Sequence, residues 1–153
     1  MLSTPHILTG SAIGKIAAPL GLPAVFALGF ISHFVLDLIP HTDAALLESS
    51  TEDHTSTHDL LVVIAEVVVG TGLFLYFWYI SHWNLSLLVG AFGATLPDLF
   101  DNAPWWKKWF RTSKLGSIFH YLHELVDGGL EKNKLLGIAT QFLVIAVAII
   151  VLT

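Results

Sequence analysis

The chain has 153 residues, of which 54% are hydrophobic and 12% charged, with a formal net charge of −5 and a mean hydropathy of +0.72. A soluble domain carries about 25% charged residues, so this composition excludes an ordinary water-soluble fold and reads as one integral membrane domain, residues 1–153. Cysteine is absent, which excludes disulfides and thiolate sites; any metal must be held by Asp, Glu and the eight histidines.

In chain order, MLSTPHILTG lacks a basic n-region and carries His6 early, so it does not read as a secretory signal. Segment 5–18, PHILTGSAIGKIAA, is short against the roughly 20 apolar residues a span needs. Its small residues Gly10, Ala12 and Gly14 suit close packing, and it reads as a buried or tilted helix hairpinned through PLGLP, 19–23. Segment 22–39, LPAVFALGFISHFVLDLI, nearly qualifies as a span and stops at Pro40. Segment 60–80 qualifies fully, segment 85–100 is short with Pro97 near its end, and segment 134–152 is the cleanest span.

Two polar connections separate these segments. Residues 41–59 carry five acids and no Lys or Arg. In the second connection, Trp105, Trp106 and Trp109 lie beside Lys107, Lys108 and Arg111. This is the pattern of an interfacial helix whose basic residues would bind an anionic lipid headgroup. The expected fold is therefore all-α: an integral membrane bundle of four to five membrane segments with one amphipathic interfacial helix. Counting crossings puts both connections, and His6, on one face. Lys107, Lys108, Arg111, Lys114, Lys132 and Lys134 are in or beside the second connection and only Lys15 is elsewhere, so that face is expected in the cytoplasm.

Ionisable groups inside a span are costly and mark function by default. His33 and Asp37 are i and i+4, on one helix face, and His41 follows Pro40 just past the helix end. At 1.5 Å per residue His33 and Glu66 each lie about 9 Å inside their span ends, at a shared depth. Asp98 and Asp101 close segment 85–100 at the same face. His120 and Glu124 repeat the i, i+4 spacing, with His123 beside them. Imidazole and carboxylate without thiolate suit zinc first, with manganese or iron as alternatives, and this many donors suits one or two divalent ions. Such ions clamp a phosphoryl group and supply a nucleophile at neutral pH.

Each of these residues has a plainer reading. His33 and Asp37 also suit a buried packing pair, His41 a helix-end histidine, His6 a polar anchor, and Asp98 and Asp101 cap or turn residues. His120 and Glu124 also suit the solvated side of an amphipathic helix. Glu66, among the lipid-grade residues IAEVVV, must face the bundle as a ligand, a general base or a helix–helix hydrogen-bonding group. His54 and His58 read as solvated loop residues, and His82, with Trp78, Tyr79 and Trp83, as part of an aromatic belt.

The run His33-x3-Asp37-x3-His41 resembles a motif of the zinc-dependent phospholipase C and P1-type nuclease superfamily, and His120-x3-Glu124 resembles its second helical pair. The N-terminal His6-x3-Gly10 is similar to the opening of the YdjM-like inner-membrane metal-dependent hydrolases. The resemblance implies a helical protein of a prokaryotic inner membrane with a clustered metal site of His6, His33, Asp37, His41, Asp98, His120 and Glu124. Soluble members place an Asp ligand before the His-x3-Asp pair. Here the matching candidate, Asp98, follows it, so a site of one or two ions is the carry-over.

The expected function is metal-dependent hydrolysis of a phosphoester in a lipid or other amphiphile, with Glu66 and Asp98 as catalytic candidates and no nucleic-acid partner. A divalent-metal or proton transporter, or a scaffold with a structural metal, would use the same residue types. A transporter requires polarity that continues to the far side, whereas the far halves of the spans are apolar.

Overall fold

The computed structural model describes residues 1–42, 57–103, 105–126 and 133–153. Among them are seven α-helices: α1 (Ser3–Ala17), α2 (Leu22–Asp37), α3 (Thr57–Ile80), α4 (Leu85–Asn102), α5 (Lys107–Thr112), α6 (Lys114–Val126) and α7 (Lys134–Leu152). The described residues are thus all helical and turn, as the composition and periodicity imply. The acidic connection, His54, the side chain of His58, and Lys132 lie outside the described residues.

Helix α1 is the axis of the bundle. It packs on α2, α3, α4 and α7, most extensively on α4, while α3 hardly touches α4. The small residues of α1 make this possible. A Cβ at Gly10 or Gly29 would strike the Gly90 carbonyl, one at Gly90 the Gly10 carbonyl, and one at Gly14 the Ser86 carbonyl. Backbone therefore meets backbone, the contact that small residues permit between membrane helices. Alongside this crossing Leu8, Ala12, Phe74, Phe77, Leu87, Ala91, Ala148 and Leu152 form an apolar core.

The turns follow their sequence signals. PLGLP becomes a 3-10 turn, Ala18–Leu20, ended by Gly21 at φ +86°, a left-handed conformation that favours glycine. At the same end of the bundle, His82 and Trp83 both adopt positive φ (54° and 60°), which is uncommon for residues with a Cβ. They are held by the Trp83 amide on the Trp78 carbonyl and by the Trp78 indole on the Asn84 carbonyl. Asn84 then caps α4 by accepting from the Ser86 amide, and Asn133 caps α7 by accepting from the Leu136 amide.

Two of the helices, Leu61–Ile80 and Lys134–Leu152, are long and apolar enough to cross a membrane, with mean hydropathy 2.1 and 2.7. Helix α2 is apolar but shorter. The chain direction brings the starts of α1, α3 and α7 and the ends of α2 and α4 to one end of the bundle. Helices α5 and α6 lie against that end, packed on α4 and, through α6, on α2. Phe119 of α6 seats against Phe30, Phe34 and Phe110, which fixes the rotation of α6 and aims His120 and His123 inward.

Candidate metal centre

At that end five ligand-type side chains from four helices meet: His6 of α1, His33 and Asp37 of α2, Asp98 of α4 and His123 of α6. Ligand atoms of His6, His33 and Asp98 lie within 4.8 Å of one another, as do those of His33, Asp37 and His123. His33 is shared and is the hinge of the cluster. His6, His33 and Asp37 are fully or almost fully buried. The side chain of Asp98, at 30% exposure, is the one carboxylate of the five that reaches the surface.

The α2 pair behaves as its spacing requires. His33 Nε2 is 3.1 Å from Asp37 Oδ2, and His6 Nε2 is 3.2 Å from Asp37 Oδ1. The amino group of Met1 lies 2.9 Å from Asp37 Oδ1. The His6 and His33 rings stack with centroids 4.2 Å apart, and neither nitrogen of His6 makes an aligned hydrogen bond although both are buried. Buried polar atoms are almost always paired, so these two mark a place where a further partner belongs.

The tautomers are set from outside the cluster. His33 Nδ1 lies 2.9 Å from the Ala94 carbonyl, which can only accept, so Nδ1 carries the proton. Ala94 follows Gly93, whose carbonyl lacks the helical amide donor that Pro97 cannot supply. His123 Nδ1 donates to Asp101 Oδ2 at 3.0 Å. With both Nδ1 atoms donating outward, the Nε2 atoms of His33 and His123 face each other at 3.0 Å. Two neutral imidazoles in these tautomers would oppose lone pair to lone pair, so the contact requires a shared proton or a cation beside it. Across the edge of a tetrahedral zinc site with bonds of about 2.0–2.1 Å, two nitrogens lie about 3.3 Å apart, close to the observed spacing.

The electrostatics point the same way. Burial opposes the charged form of His123, but its hydrogen bonds to Asp101 and Asp37 and the nearby Asp98 charge outweigh this and push its pKa up to about 10. The carboxylates at this end of the bundle therefore call for positive charge, which a divalent ion would supply. The donor set fits such an ion: imidazoles oriented by a carbonyl and a carboxylate behind them, with carboxylates completing the set.

Asp101 is the orienting group. Its Oδ2 also accepts from His120 Nδ1 at 2.9 Å, and its Oδ1 accepts from Arg111 Nε at 3.0 Å. Asp101, His120 and Glu124 form a further group of ligand-type atoms within 4.8 Å, more exposed than the first.

The structure thus brings together His6, His33, Asp37 and Asp98 of the expected ligands and sets His120 and Glu124 one layer out. Two further expected residues are not part of these groupings of the described residues. His41 is buried, but its Nδ1 donates to the Ile39 carbonyl at 2.8 Å and its backbone packs on Gly137 of α7, outside these groupings. Glu66 accepts from the Thr4 amide through Oε2 at 2.9 Å, and its carbonyl accepts from Thr4 Oγ1 at 3.0 Å. It caps the start of α1 from a neighbouring helix, the helix–helix role among its readings, at the end where a negative charge is favoured. Gln141 does a similar task from α7, accepting from the Leu2 amide and donating to the Thr42 carbonyl. Of the expected headgroup residues, Arg111 is held by Asp101 and Asn102, while Lys107 and Lys108 stand at the start of α5 near exposed Trp105 and Trp109.

The residue underweighted in the sequence is His123. Its signal was a matched pair of three-residue spacings, Asp98–Asp101 on α4 and His120–His123 on α6, which put two carboxylates opposite two imidazoles. Comparison with protein-family models, curated proteins and solved structures finds no match for the chain.

Proposed function

We propose that the protein is a membrane-bound, metal-dependent hydrolase of YdjM-like type that cleaves a phosphoester of a lipid or other amphiphile at the cytoplasmic face of a prokaryotic inner membrane. The observation that carries the metal reading is the pair of Nε2 atoms of His33 and His123, 3.0 Å apart and both turned inward by acceptors behind them. Asp37 neighbours both, and His6 and Asp98 stand ready to complete the set; zinc is the ion such imidazole-rich donors favour. A bound divalent ion would supply Lewis acidity and a nucleophile at neutral pH.

The chain's own residues supply the rest. Asp98, partly exposed at the edge of the cluster, would be the carboxylate nearest an incoming substrate. Asp101 keeps His123 in the tautomer that presents Nε2. Membrane embedding is supported by the spans Leu61–Ile80 and Lys134–Leu152, of which only 17% and 22% is buried, whereas the core helix of a soluble protein is mostly buried. The short helices α1, α2 and α4 would complete four to five membrane segments, and α6 would lie in the interface on its exposed stripe of Leu115, Ile118, Leu122 and Leu125. The basic residues of α5 and α6 lie at the cluster end, while Lys15 donates to the Leu152 carbonyl at the other end. This asymmetry supports a cytoplasmic cluster.

Transport is the weaker reading because the apolar core of Leu8, Phe74, Phe77, Leu87 and Leu152 lies between the cluster and the far end. The test is elemental analysis of detergent-purified protein, together with a screen of phosphomonoester and phosphodiester substrates. One or two equivalents of zinc, manganese or iron and metal-dependent hydrolysis, both lost in His33→Ala/Asp37→Ala, are the expected outcome. Folded, metal-free wild type that takes up none of these ions would overturn the reading.

A further inference from the structure

Helices α3 and α4 pack on α1 but hardly on each other, and a groove of about 500 Å³ opens between them. Its floor is Ile7 of α1, and its walls include Val67 and Phe74 of α3 and Leu88, Ala91 and Phe92 of α4. Val67 and Phe92 are 40% and 50% exposed, so the groove is open along its side to whatever surrounds the apolar helices. At its other end stand Ser3, Asp98, Asn102 and Trp105. The groove is therefore graded: hydrocarbon at depth, a carboxylate, an amide and an indole at the mouth. Asp98 belongs to both places, since its Oδ1 is 3.9 Å from the Nε2 atoms of His33 and His123.

The dimensions select the occupant. From Leu88 to Asn102 the groove runs about 21 Å along α4, somewhat more than the roughly 15 Å of hydrocarbon in one bilayer leaflet. A helix, about 10 Å across, would protrude through the open side, whereas an extended hydrocarbon chain lies within the groove along its length.

We infer that the α3–α4 groove binds a single hydrocarbon chain of an amphiphile taken laterally from the bilayer, with the chain end near Phe74 and Leu88 and an anionic phosphate headgroup at Asp98 beside the metal cluster. The placement of the headgroup rests on the hydrolase reading; the chain site stands on the groove alone. Lys107 and Lys108 begin the helix that follows Trp105.

The test uses the full chain in lipid nanodiscs and a long-chain alkyl phosphate with a diazirine at the end of its chain. After irradiation, adducts are mapped by peptide mass spectrometry in wild type, in Val67→Trp and Thr71→Trp, which fill the groove from exposed wall positions, and in Val68→Trp, which faces away from it. Size-exclusion elution and chemical unfolding on the same samples report whether each variant retains its fold, and metal content is measured alongside. The expected result is labelling concentrated on Phe74, Leu88, Ala91 and Phe92, reduced at least tenfold by Val67→Trp and Thr71→Trp and unchanged by Val68→Trp. Labelling spread over lipid-facing residues such as Tyr76, Leu143 and Ile150, and indifferent to all three substitutions, would overturn the proposal. The two readings fail separately. Val67-dependent labelling of a protein that neither binds metal nor hydrolyses the probe keeps the groove and removes the hydrolase. Metal-dependent hydrolysis with diffuse labelling keeps the hydrolase and removes the groove.

Discussion

Helix α1 carries Ser3, Thr4, His6, Thr9, Ser11 and Lys15 within 15 residues, yet it sits at the centre with most of its length buried. Helix α3 has 24 residues, of which Glu66 is the one charged group after Asp59, and it leaves Leu61, Val63, Ile64, Val68, Val69, Leu75 and Tyr76 exposed. In water this arrangement would be inside out. It is stable where the surroundings are as apolar as the side chains, because hydrophobicity then no longer drives helices together and small residues with internal hydrogen bonds do. The backbone amides at the start of α1 are accordingly met from neighbouring helices: that of Thr4 by Glu66 and that of the preceding Leu2 by Gln141.

This contrast makes its sharpest prediction at the α1–α4 crossing. Gly90→Leu places a side chain against the Gly10 carbonyl, where neither backbone can yield, and should cost more than about 3 kcal/mol or abolish folding. Chemical unfolding in detergent micelles, with size-exclusion chromatography, measures this; wild-type stability of Gly90→Leu would break the picture of a close crossing.

Next in size are the cluster residues. Removing His33 should weaken divalent-metal binding by more than the roughly 10–100-fold typical of an orienting residue, whereas Asp101→Asn, which leaves Nε2 of His123 present but less well oriented, should fall within that range. Competition titrations with a calibrated chelator give both values. Equal losses would mean that Asp101 is itself a ligand.

Smaller is the effect at Glu66. As a cap, Glu66→Ala should cost about 1 kcal/mol of stability and leave metal content and turnover unchanged. A folded Glu66→Ala protein with turnover down a hundredfold would restore Glu66 as the catalytic base. The smallest effect belongs to the open face of α3, where Val68→Ala should change stability by less than about 0.5 kcal/mol in the same unfolding assay. A loss of several times that would show that a partner helix covers this face.

Much of this was legible along the chain. The i, i+4 spacing of His33 and Asp37 is a local property of one helix, and the structure keeps it as a 3.1 Å contact. The small residues Gly10 and Gly14 announced a close crossing, PLGLP a tight turn, and the short segment 5–18 a buried helix, all from steric facts that need no partner to be known. What the sequence leaves open is how two distant elements are rotated against each other. Counting residues from the span ends assigns Glu66 and His33 a similar depth, but depth is a single coordinate along the helix axis. The azimuth of α3 turns Glu66 to the start of α1 instead of to the cluster. His120 and Glu124 matched a local spacing, yet the seating of Phe119 among Phe30, Phe34 and Phe110 rotates α6 so that His123 enters the centre.

Residue types, their spacing and the hydropathy of each segment were therefore enough to establish the helices of the described residues, one polar end and a donor set of imidazoles and carboxylates. Which donors meet, which acid serves as a cap, and where the groove lies depended on the packing of helices far apart in sequence. The physical reason is that periodicity defines a helix's faces relative to one another, whereas side-chain interlocking between helices selects the direction in which each face points.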